Sequence, residues 1–508
     1  MKKLIKILFS RLGITIILIL VQLLLLFFSM VFFASKFVYF YLIMVVFSFG
    51  LIVAIINDDS NPTFKMAWII PMLVFPIFGA PLYIVFGRKK VSKRIIKKLQ
   101  ESFETSKDII ADNTEIMNEI EETRPDIARQ ITYIKRTAAS TIYKNTETKF
   151  LPTGEIFFEN LLHELESAEK FIFLEYFIID KGKMWDSVLE ILKRKAMNGV
   201  DVRLIYDDLG TISLLEKTYP KKLESFGIKT AIFNPFRPSL DSFLNYRDHR
   251  KITVIDGNIG FTGGINLADE YINEIERHGH WKDSSIVIKG EGVSSLTAMF
   301  LQTWYFLNTD EKEDYVSYAS TEKYENDGYV IPFSDSPLSG HLTGELAYMN
   351  MINNARKYVY ITTPYLILDN EMLTSLRLAA DCGVDVRIIT PHIPDKWYVH
   401  SVTRANYTPL LKCGIKIYEY TPGFIHAKTI VADDEIAIVG TTNFDFRSFY
   451  LHFENGILMY KSKCVNEVKT EFDNILKKCT EISIDDYEAD SWFNKFKGKV
   501  LKMFSPMM

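Results

Sequence analysis

The chain is poor in the residue types that announce several common chemistries. Its 508 residues include four cysteines, Cys382, Cys413, Cys464 and Cys479, with neither a C-x-x-C spacing nor a compact framework. That argues against a zinc ribbon, a cysteine nucleophile and a disulfide-stapled scaffold, and reads as reduced thiols in a cytosolic compartment. An excess of basic charge is also lacking: the net charge is -4 at pH 7, so no global field gathers nucleic acid. Gly199 and Gly383 follow helical stretches and are explained as C-caps, so no phosphate-cradling loop is invoked. Charge of either sign is missing altogether from residues 12–34 and 37–56.

Those two uncharged runs are long enough to cross a bilayer. The first is too long for a signal-peptide core and has no small-residue cleavage site, so the pair is expected to form a transmembrane hairpin, preceded by Lys2, Lys3, Lys6 and Arg11. A third apolar run, residues 66–86, carries Pro71, Pro76, Gly79 and Pro81, and is followed by Arg88, Lys89, Lys90, Lys93, Arg94, Lys97 and Lys98. Interior prolines break a helical ladder, and three crossings would put the two basic ends on opposite sides of the membrane. Two spans and a membrane-embedded or interfacial broken segment are therefore expected, with both basic flanks cytoplasmic. A third full span is the alternative, because membrane helices tolerate proline. Residues 1–88 read as this membrane region and residues 89–144 as a charged helical linker whose mixed charges form a solvated face.

With 48% hydrophobic and 14% aromatic residues, the remainder can build two domain-sized cores. It reads as two similar α/β halves, residues 145–325 and 326–508, forming one bilobal catalytic unit. Strands alternate with helices in both, and NGVDVRLIY against CGVDVRIIT, with FGIKT against CGIKI, makes the repeat visible. The strongest repetition is a motif: His249, Lys251, Asp256 and Asn266 recur as His426, Lys428, Asp433 and Asn443, each displaced by 177 residues. The residues between Lys and Asp are apolar and β-branched, which predicts a strand. Asp256-Gly257-Asn258 and Asp433-Asp434-Glu435 predict hairpin turns. Side chains two apart share a strand face, so each His sits beside its Lys. The Asp has the opposite parity, which points to a structural job. The following turns, Gly263 to Asn266 and Gly440 to Asn443, would bring an Asn amide to the same rim.

Paired His and Lys in duplicate suit attack on a phosphodiester. One neutral imidazole can be the nucleophile and a second, protonated one the acid for the leaving alkoxide, while Lys251, Lys428 and the amides of Asn266 and Asn443 bind the non-bridging oxygens. That chemistry needs no metal and no cofactor. His278 and His280 with Asp283 could suggest a metal cluster, but their spacing fits loop residues better.

The two motifs resemble the HKD signatures of the phospholipase D superfamily. GFIHAKTIVAD, GTTNFDFRSFYLHFEN, GGINLADEY and KMAWIIPMLVFPIFGAPLYIVFGR resemble its bacterial cardiolipin synthase branch, over essentially the whole chain. Gly264 stands where the wider superfamily often has Ser, while the synthase branch commonly has Gly-Gly. The resemblance implies His249, Lys251, Asp256, His426, Lys428 and Asp433 as the catalytic set, with supporting acids at Asp283 and Glu454. It also implies His249 as nucleophile oriented by Asp283, and His426 as acid oriented by Glu454. Arg447 and Ser448 would steady the site. Glu175, Tyr176, Pro364, Tyr365 and His452 are weaker candidates for lining it. The implied reaction joins two phosphatidylglycerol molecules into cardiolipin and glycerol through a phosphatidyl-histidine. A phospholipase D hydrolase or a headgroup-exchanging synthase differs only in the acceptor. A nuclease is disfavoured by the acidic balance and the anchor, and a non-catalytic scaffold by the intact motifs. Phosphatidylglycerol and other anionic phospholipids are the expected partners, with no nucleic acid. The expected location is a bacterial cell membrane, multi-pass, with the catalytic halves facing the cytoplasm; oligomeric state is left open.

Overall fold

The computed structural model describes residues 11–32, 36–87, 91–138, 140–236, 242–308, 314–325 and 328–507. Lys2, Lys3, Lys6, Arg88, Lys89 and Lys90 lie outside them. The chain divides into two compact units. One comprises residues 1–92 and 234–245 with residue 507. The other comprises 93–233 and 246–506 with residue 508.

In the N-terminal unit the uncharged runs are helical, Arg11–Phe32 and Phe37–Ile56. Among the described residues, Phe37–Ile56 is the helix long and apolar enough to cross a membrane. The proline-rich run is broken as the sequence predicts, into Pro62–Val74 and Pro76–Leu82 with a π-turn at Tyr83–Gly87. Phe75, at φ -131° and ψ 71°, interrupts the helix. The two pieces fold back on each other rather than continuing one rod. A Cβ on Gly79 would lie 2.6 Å from Met72 Cα, so only glycine permits the approach. Ile52 and Ile55 pack with Met72, and Ser48 Oγ donates to the Pro76 carbonyl at 3.1 Å.

The other unit holds two sheets. The first is built from β1 (Thr146–Leu151), β2 (Phe171–Tyr176), β3 (Asp201–Asp207), β4 (Lys229–Phe233), β6 (Ile252–Ile255), β7 (Ile259–Gly263) and β9 (Ser285–Gly290). The second contains β10 (Tyr329–Asp335), β11 (Tyr358–Thr362), β12 (Asp385–Pro391), β13 (Lys416–Tyr420), β15 (Thr429–Ala432), β16 (Ile436–Gly440), β17 (His452–Tyr460) and β18 (Cys479–Ile482). Their orders match strand for strand, β1-β9-β7-β6-β2-β3-β4 against β10-β17-β16-β15-β11-β12-β13, with β18 added at the second edge. In each, the last three of the shared strands run parallel and the rest antiparallel. Three short strands tie the halves together: β5 (Arg247–Asp248) pairs with β17, and β14 (Gly423–Ile425) pairs with β8 (His280–Lys282).

Each half has its own core. The segment expected to be a solvated linker differs from that reading. Helix Pro125–Ala138 lays Ile127, Ile131 and Ile134 against Tyr348 and Met351 in the second core. These residues recur at the i, i+4, i+7 spacing of an apolar helix stripe, and the charges occupy the other face. The helix Lys93–Ser106 packs on Val293–Leu307 of the first half, with Lys98 Nζ 5.4 Å from the centre of the Phe306 ring.

Candidate active site

Both motifs have the same local build. The β-branched stretches form β6 and β15, and each runs through a tight turn into its antiparallel neighbour. Asp256 and Gly257 have φ of 51° and 71°, and Asp433 and Asp434 have 57° and 59°, left-handed values that these residue types tolerate at a hairpin turn. The two aspartates do not reach the His–Lys cluster, which corrects their placement in the catalytic set. Asp256 accepts from the backbone N–H groups of Glu169, Lys170 and Phe171 at 2.7–2.8 Å. Asp433 accepts from Arg356, Lys357 and Tyr358 at 2.7–3.0 Å. Each therefore pins the start of the strand next to the motif strand, β2 beside β6 or β11 beside β15, to the motif hairpin.

The histidines and lysines lie just before β6 and β15, in extended segments where β5 and β14 have crossed to the opposite half. His249 N–H donates to the Phe453 carbonyl at 2.9 Å and His426 N–H to the Lys282 carbonyl at 2.7 Å. This crossing decides which acid serves which histidine. His249 Nδ1 lies 2.9 and 3.0 Å from the two oxygens of Glu454, and His426 Nδ1 lies 2.6 Å from Asp283 Oδ2. The pairing is the reverse of the one the resemblance implied, because each supporting carboxylate belongs to the half opposite its histidine. A carboxylate only accepts, so both Nδ1 atoms carry hydrogen and both Nε2 atoms present a lone pair. Each lysine ammonium donates to the carbonyl of its own histidine, Lys251 to His249 and Lys428 to His426. Across the seam, Asn455 Nδ2 donates to Thr262 Oγ1 at 2.8 Å.

All four basic side chains are buried, and burial dominates their ionisation. It holds His249 well below the ordinary histidine value and His426 at about 4, with the neighbouring lysines adding like-charge repulsion. Lys251 is pushed down to about 7 and Lys428 to about 8, against partial compensation from Glu454 and Asp283. Burial thus favours neutral imidazoles and easily deprotonated lysines in this cluster, and the negative charge of a phosphodiester would favour their charged forms.

The asparagines do not project amides side by side into this cluster. Asn266 accepts from Ile178 N–H at 2.9 Å and donates to the Tyr271 hydroxyl at 2.7 Å, so it braces the first half. Asn443 is buried, its N–H on Ser448 Oγ at 3.2 Å, and among the described residues its side-chain Oδ1 has no partner. Of the weaker candidates, Glu175 is buried against Arg250 at 2.7 Å and Tyr176 bonds Thr253 at 2.7 Å. Tyr365 donates to Asp395 at 2.6 Å. Arg447 Nε donates to His452 Nε2 at 3.3 Å, and the His452 ring stands 5.3 Å from that of His249.

Rings that neither motif marks wall the histidines. Phe177 lies 5.2 Å from His249, while Tyr271, Trp281 and Phe424 lie 5.3–5.8 Å from His426. Trp281 stands two residues before Asp283 as His452 stands two before Glu454, and that parity was a readable signal. Thr441 is a further site residue outside the motifs' repeated positions, its hydroxyl donating to Glu454. Among the described residues, His249, His452 and Glu454 have donor atoms within 4.8 Å of one another and could hold an ion, but only by occupying the pairing that orients His249. His278 and His280 do not join Asp283, since His280 bonds Tyr420 and Asp283 bonds His426.

Comparisons with known proteins give the family. The family model described as "Cardiolipin synthase, PLD-like domain" matches residues 161–304 and 348–476, and one described as "Phospholipase_D-nuclease N-terminal" matches residues 46–88. A cardiolipin synthase of Halalkalibacterium halodurans is 34% identical over 90% of this chain and 91% of its own length. Cardiolipin synthase 2 of Bacillus anthracis is 33% identical over 89% of this chain and 88% of its own. In fold, the crystal structure of the Haemophilus influenzae phosphatidylserine synthase superposes with a TM-score of 0.57 at 16% identity, covering 75% of this chain and 98% of that one. The chain belongs to the cardiolipin synthase family of phospholipase D-like phosphatidyltransferases.

Proposed function

We propose that the chain transfers a phosphatidyl group from one phosphatidylglycerol to another, releasing glycerol. His249 Nε2 attacks phosphorus, the P–O bond to glycerol breaks, and His426, protonated when the anionic lipid enters, gives its proton to the departing alkoxide. A hydroxyl of the second lipid then attacks phosphorus while His426 takes its proton. The P–N bond breaks and His249 is freed, so atoms and protons balance without a metal or cofactor. Lys251 and Lys428 neutralise the non-bridging oxygens, where charge develops in both transition states. What supports this reading is the crossed pairing of His249 with Glu454 and of His426 with Asp283, which leaves two Nε2 atoms for chemistry and none for structure. Asn443, with its unpartnered Oδ1, is the asparagine suited to a substrate hydroxyl.

The substrates are bilayer lipids, and holding the site at the surface turns their encounter into a two-dimensional search. We read Arg11–Phe32 and Phe37–Ile56 as the two spans and the folded-back Pro62–Gly87 segment as embedded without crossing, which leaves the halves at 145–325 and 326–508 in the cytoplasm. The decisive experiment is the full-length protein in liposomes with phosphatidylglycerol alone. Cardiolipin with equimolar glycerol supports the proposal. Phosphatidic acid as the only lipid product would make the protein a hydrolase, and a reporter after Lys98 found outside the cell would overturn the topology.

A further inference from the structure

The C-terminal helix Trp492–Lys502 carries a face that the protein leaves uncovered. At about 100° per residue, Trp492, Phe493, Phe496 and Val500 fall within an arc of roughly 100°, and Met503 continues it beyond the helix. Gly498 lies on the opposite side, and there the helix docks: a Cβ on Gly498 would sit 2.9 Å from the Ser401 carbonyl oxygen and 3.3 Å from Ala405 Cβ. The close approach to the backbone of helix Trp397–Ala405 is therefore made at the one residue without a side chain. The aromatic arc points away from it, with Trp492 73%, Phe493 65% and Phe496 51% exposed. Soluble surfaces seldom gather large rings in this way.

The polar residues state what covers the arc. The helix holds Lys495, Lys497, Lys499 and Lys502 and no acidic residue. Lys497 and Lys499 flank the arc on its two sides, the arrangement of a helix lying in the headgroup plane with its rings among the acyl chains. An open groove of about 400 Å³ runs along it, lined by Leu411, Ile484, Trp492 and Phe496 together with Lys495, Lys499 and Glu488.

The face also leads to the active site. Lys497 Nζ lies 5.5 Å from the centre of the Trp397 ring, itself 62% exposed. Trp397 follows Lys396, whose ammonium lies over Tyr365 and whose charge acts on His249. Tyr365 in turn is 6.3 Å from Phe424, which stands 5.8 Å from His426. We propose that this aromatic and basic face, formed by Trp397 with helix Trp492–Lys502, is a second membrane-contact site that lies on an anionic lipid surface and holds the catalytic halves against the layer supplying their substrate. Only the substrate half of that statement rests on the transferase reading.

The test uses the full chain, with its four cysteines replaced, in vesicles of phosphatidylglycerol and phosphatidylcholine. A spin label is attached through Phe493→Cys or, as control, through Met197→Cys, a position 82% exposed on the first half. Power saturation with oxygen and with a water-soluble nickel chelate reads depth without turnover. The label at 493 is expected to be oxygen-accessible and nickel-shielded, the control the reverse, and both unchanged on tenfold dilution of protein in lipid. Nickel access at 493 equal to the control overturns the proposal, and so does shielding lost on dilution, which would assign the face to a second copy. In parallel, Lys495→Glu with Lys499→Glu should raise the KM for phosphatidylglycerol in vesicles about tenfold at unchanged kcat. An unchanged KM overturns the link to substrate supply. If no variant or parent makes cardiolipin, the depth measurement still decides the membrane contact.

Discussion

The two halves fold alike yet hold their catalytic segments by different physics. Around His249 the neighbours are ionic: Arg250 bonds Asp248 at 3.0 Å and Glu175 at 2.7 Å, and Arg247 lies 3.5 Å from Asp207, all buried. At the equivalent positions around His426 stand Phe424 for Arg247, Ile425 for Asp248, Ala427 for Arg250 and Thr362 for Glu175. The ring beside each histidine differs as well, His452 for His249 and Trp281 for His426. A buried ionic cluster gains little net stability over packed apolar groups but fixes geometry, and breaking it leaves unpaired charge. Apolar packing positions His426 with less at stake. The asymmetry fits a division of labour in which one histidine carries a covalent bond and must not drift, while the other moves protons.

The largest effects test that division directly. His249→Ala and His426→Ala should each abolish cardiolipin formation from phosphatidylglycerol. Given a phosphatidyl ester whose leaving group needs no proton, His426→Ala should still accumulate labelled phosphate on His249, and His249→Ala should accumulate none. Label on His426 would reverse the roles, and no adduct under any condition would favour direct displacement.

Next come the crossed carboxylates. Amidating an acid that orients a histidine favours the wrong tautomer, at a cost on the order of 10²–10⁴ in rate. Glu454→Gln should therefore slow adduct formation even with the activated ester, whereas Asp283→Asn should spare that step and slow turnover of phosphatidylglycerol. The opposite pattern would restore the within-half pairing. Gly264→Ser should behave like Asp283→Asn, because a Cβ there would sit 2.1 Å from Asp283 Oδ1.

The pH profile tests the lysines, which both halves share. Burial lowers Lys251 to about 7 and Lys428 to about 8 from 10.5, so the phosphate-binding charge is present below those values and lost as pH rises through them. The two histidines, lowered in the same way, stay neutral to well below pH 6.5. kcat/KM should consequently fall on the alkaline side from about pH 7–8, and Lys251→Arg, which removes the lower of the two deprotonations, should move that limb upward. A flat profile to pH 10 would mean that the lysines keep their charge without substrate.

Much of this was readable in the sequence, and what was not has a common cause. The motif strands, their turns and the structural use of Asp256 and Asp433 follow from local parity and β-propensity. The supporting acids Asp283 and Glu454 are legible as residues, yet which histidine each serves is not, because nothing local says that β5 and β14 pair with the opposite half. The linker helix was hidden behind its charges, although Ile127, Ile131 and Ile134 carry the stripe that docks it. Asn266 is the reverse case: its spacing matches Asn443, but Tyr271 and the Ile178 N–H engage its amide.

The smallest expected effect lies at Thr441, where one half has a hydroxyl-bearing side chain and the other has none. Its counterpart is Gly264, so Asp283 has the Ser284 backbone N–H at 2.8 Å as its second donor, while Glu454 has Thr441 Oγ1. Thr441→Val keeps the shape of the side chain and removes the donor. Glu454 would remain held by His249, so the carboxylate would lose rigidity rather than its partner. A hydrogen bond to a charged group contributes about 1.5–3 kcal/mol in stability, of which only the part that changes on reaching the transition state affects rate. The expected loss in kcat/KM is thus about tenfold, appearing in adduct formation and not in leaving-group protonation. It is measured by single-turnover labelling with the activated ester beside steady-state turnover of phosphatidylglycerol. A loss as large as that of Glu454→Gln would make the hydroxyl essential to the nucleophile. No loss in either step would mean that Glu454 needs no second donor and that the ionic surroundings of His249 suffice to hold it.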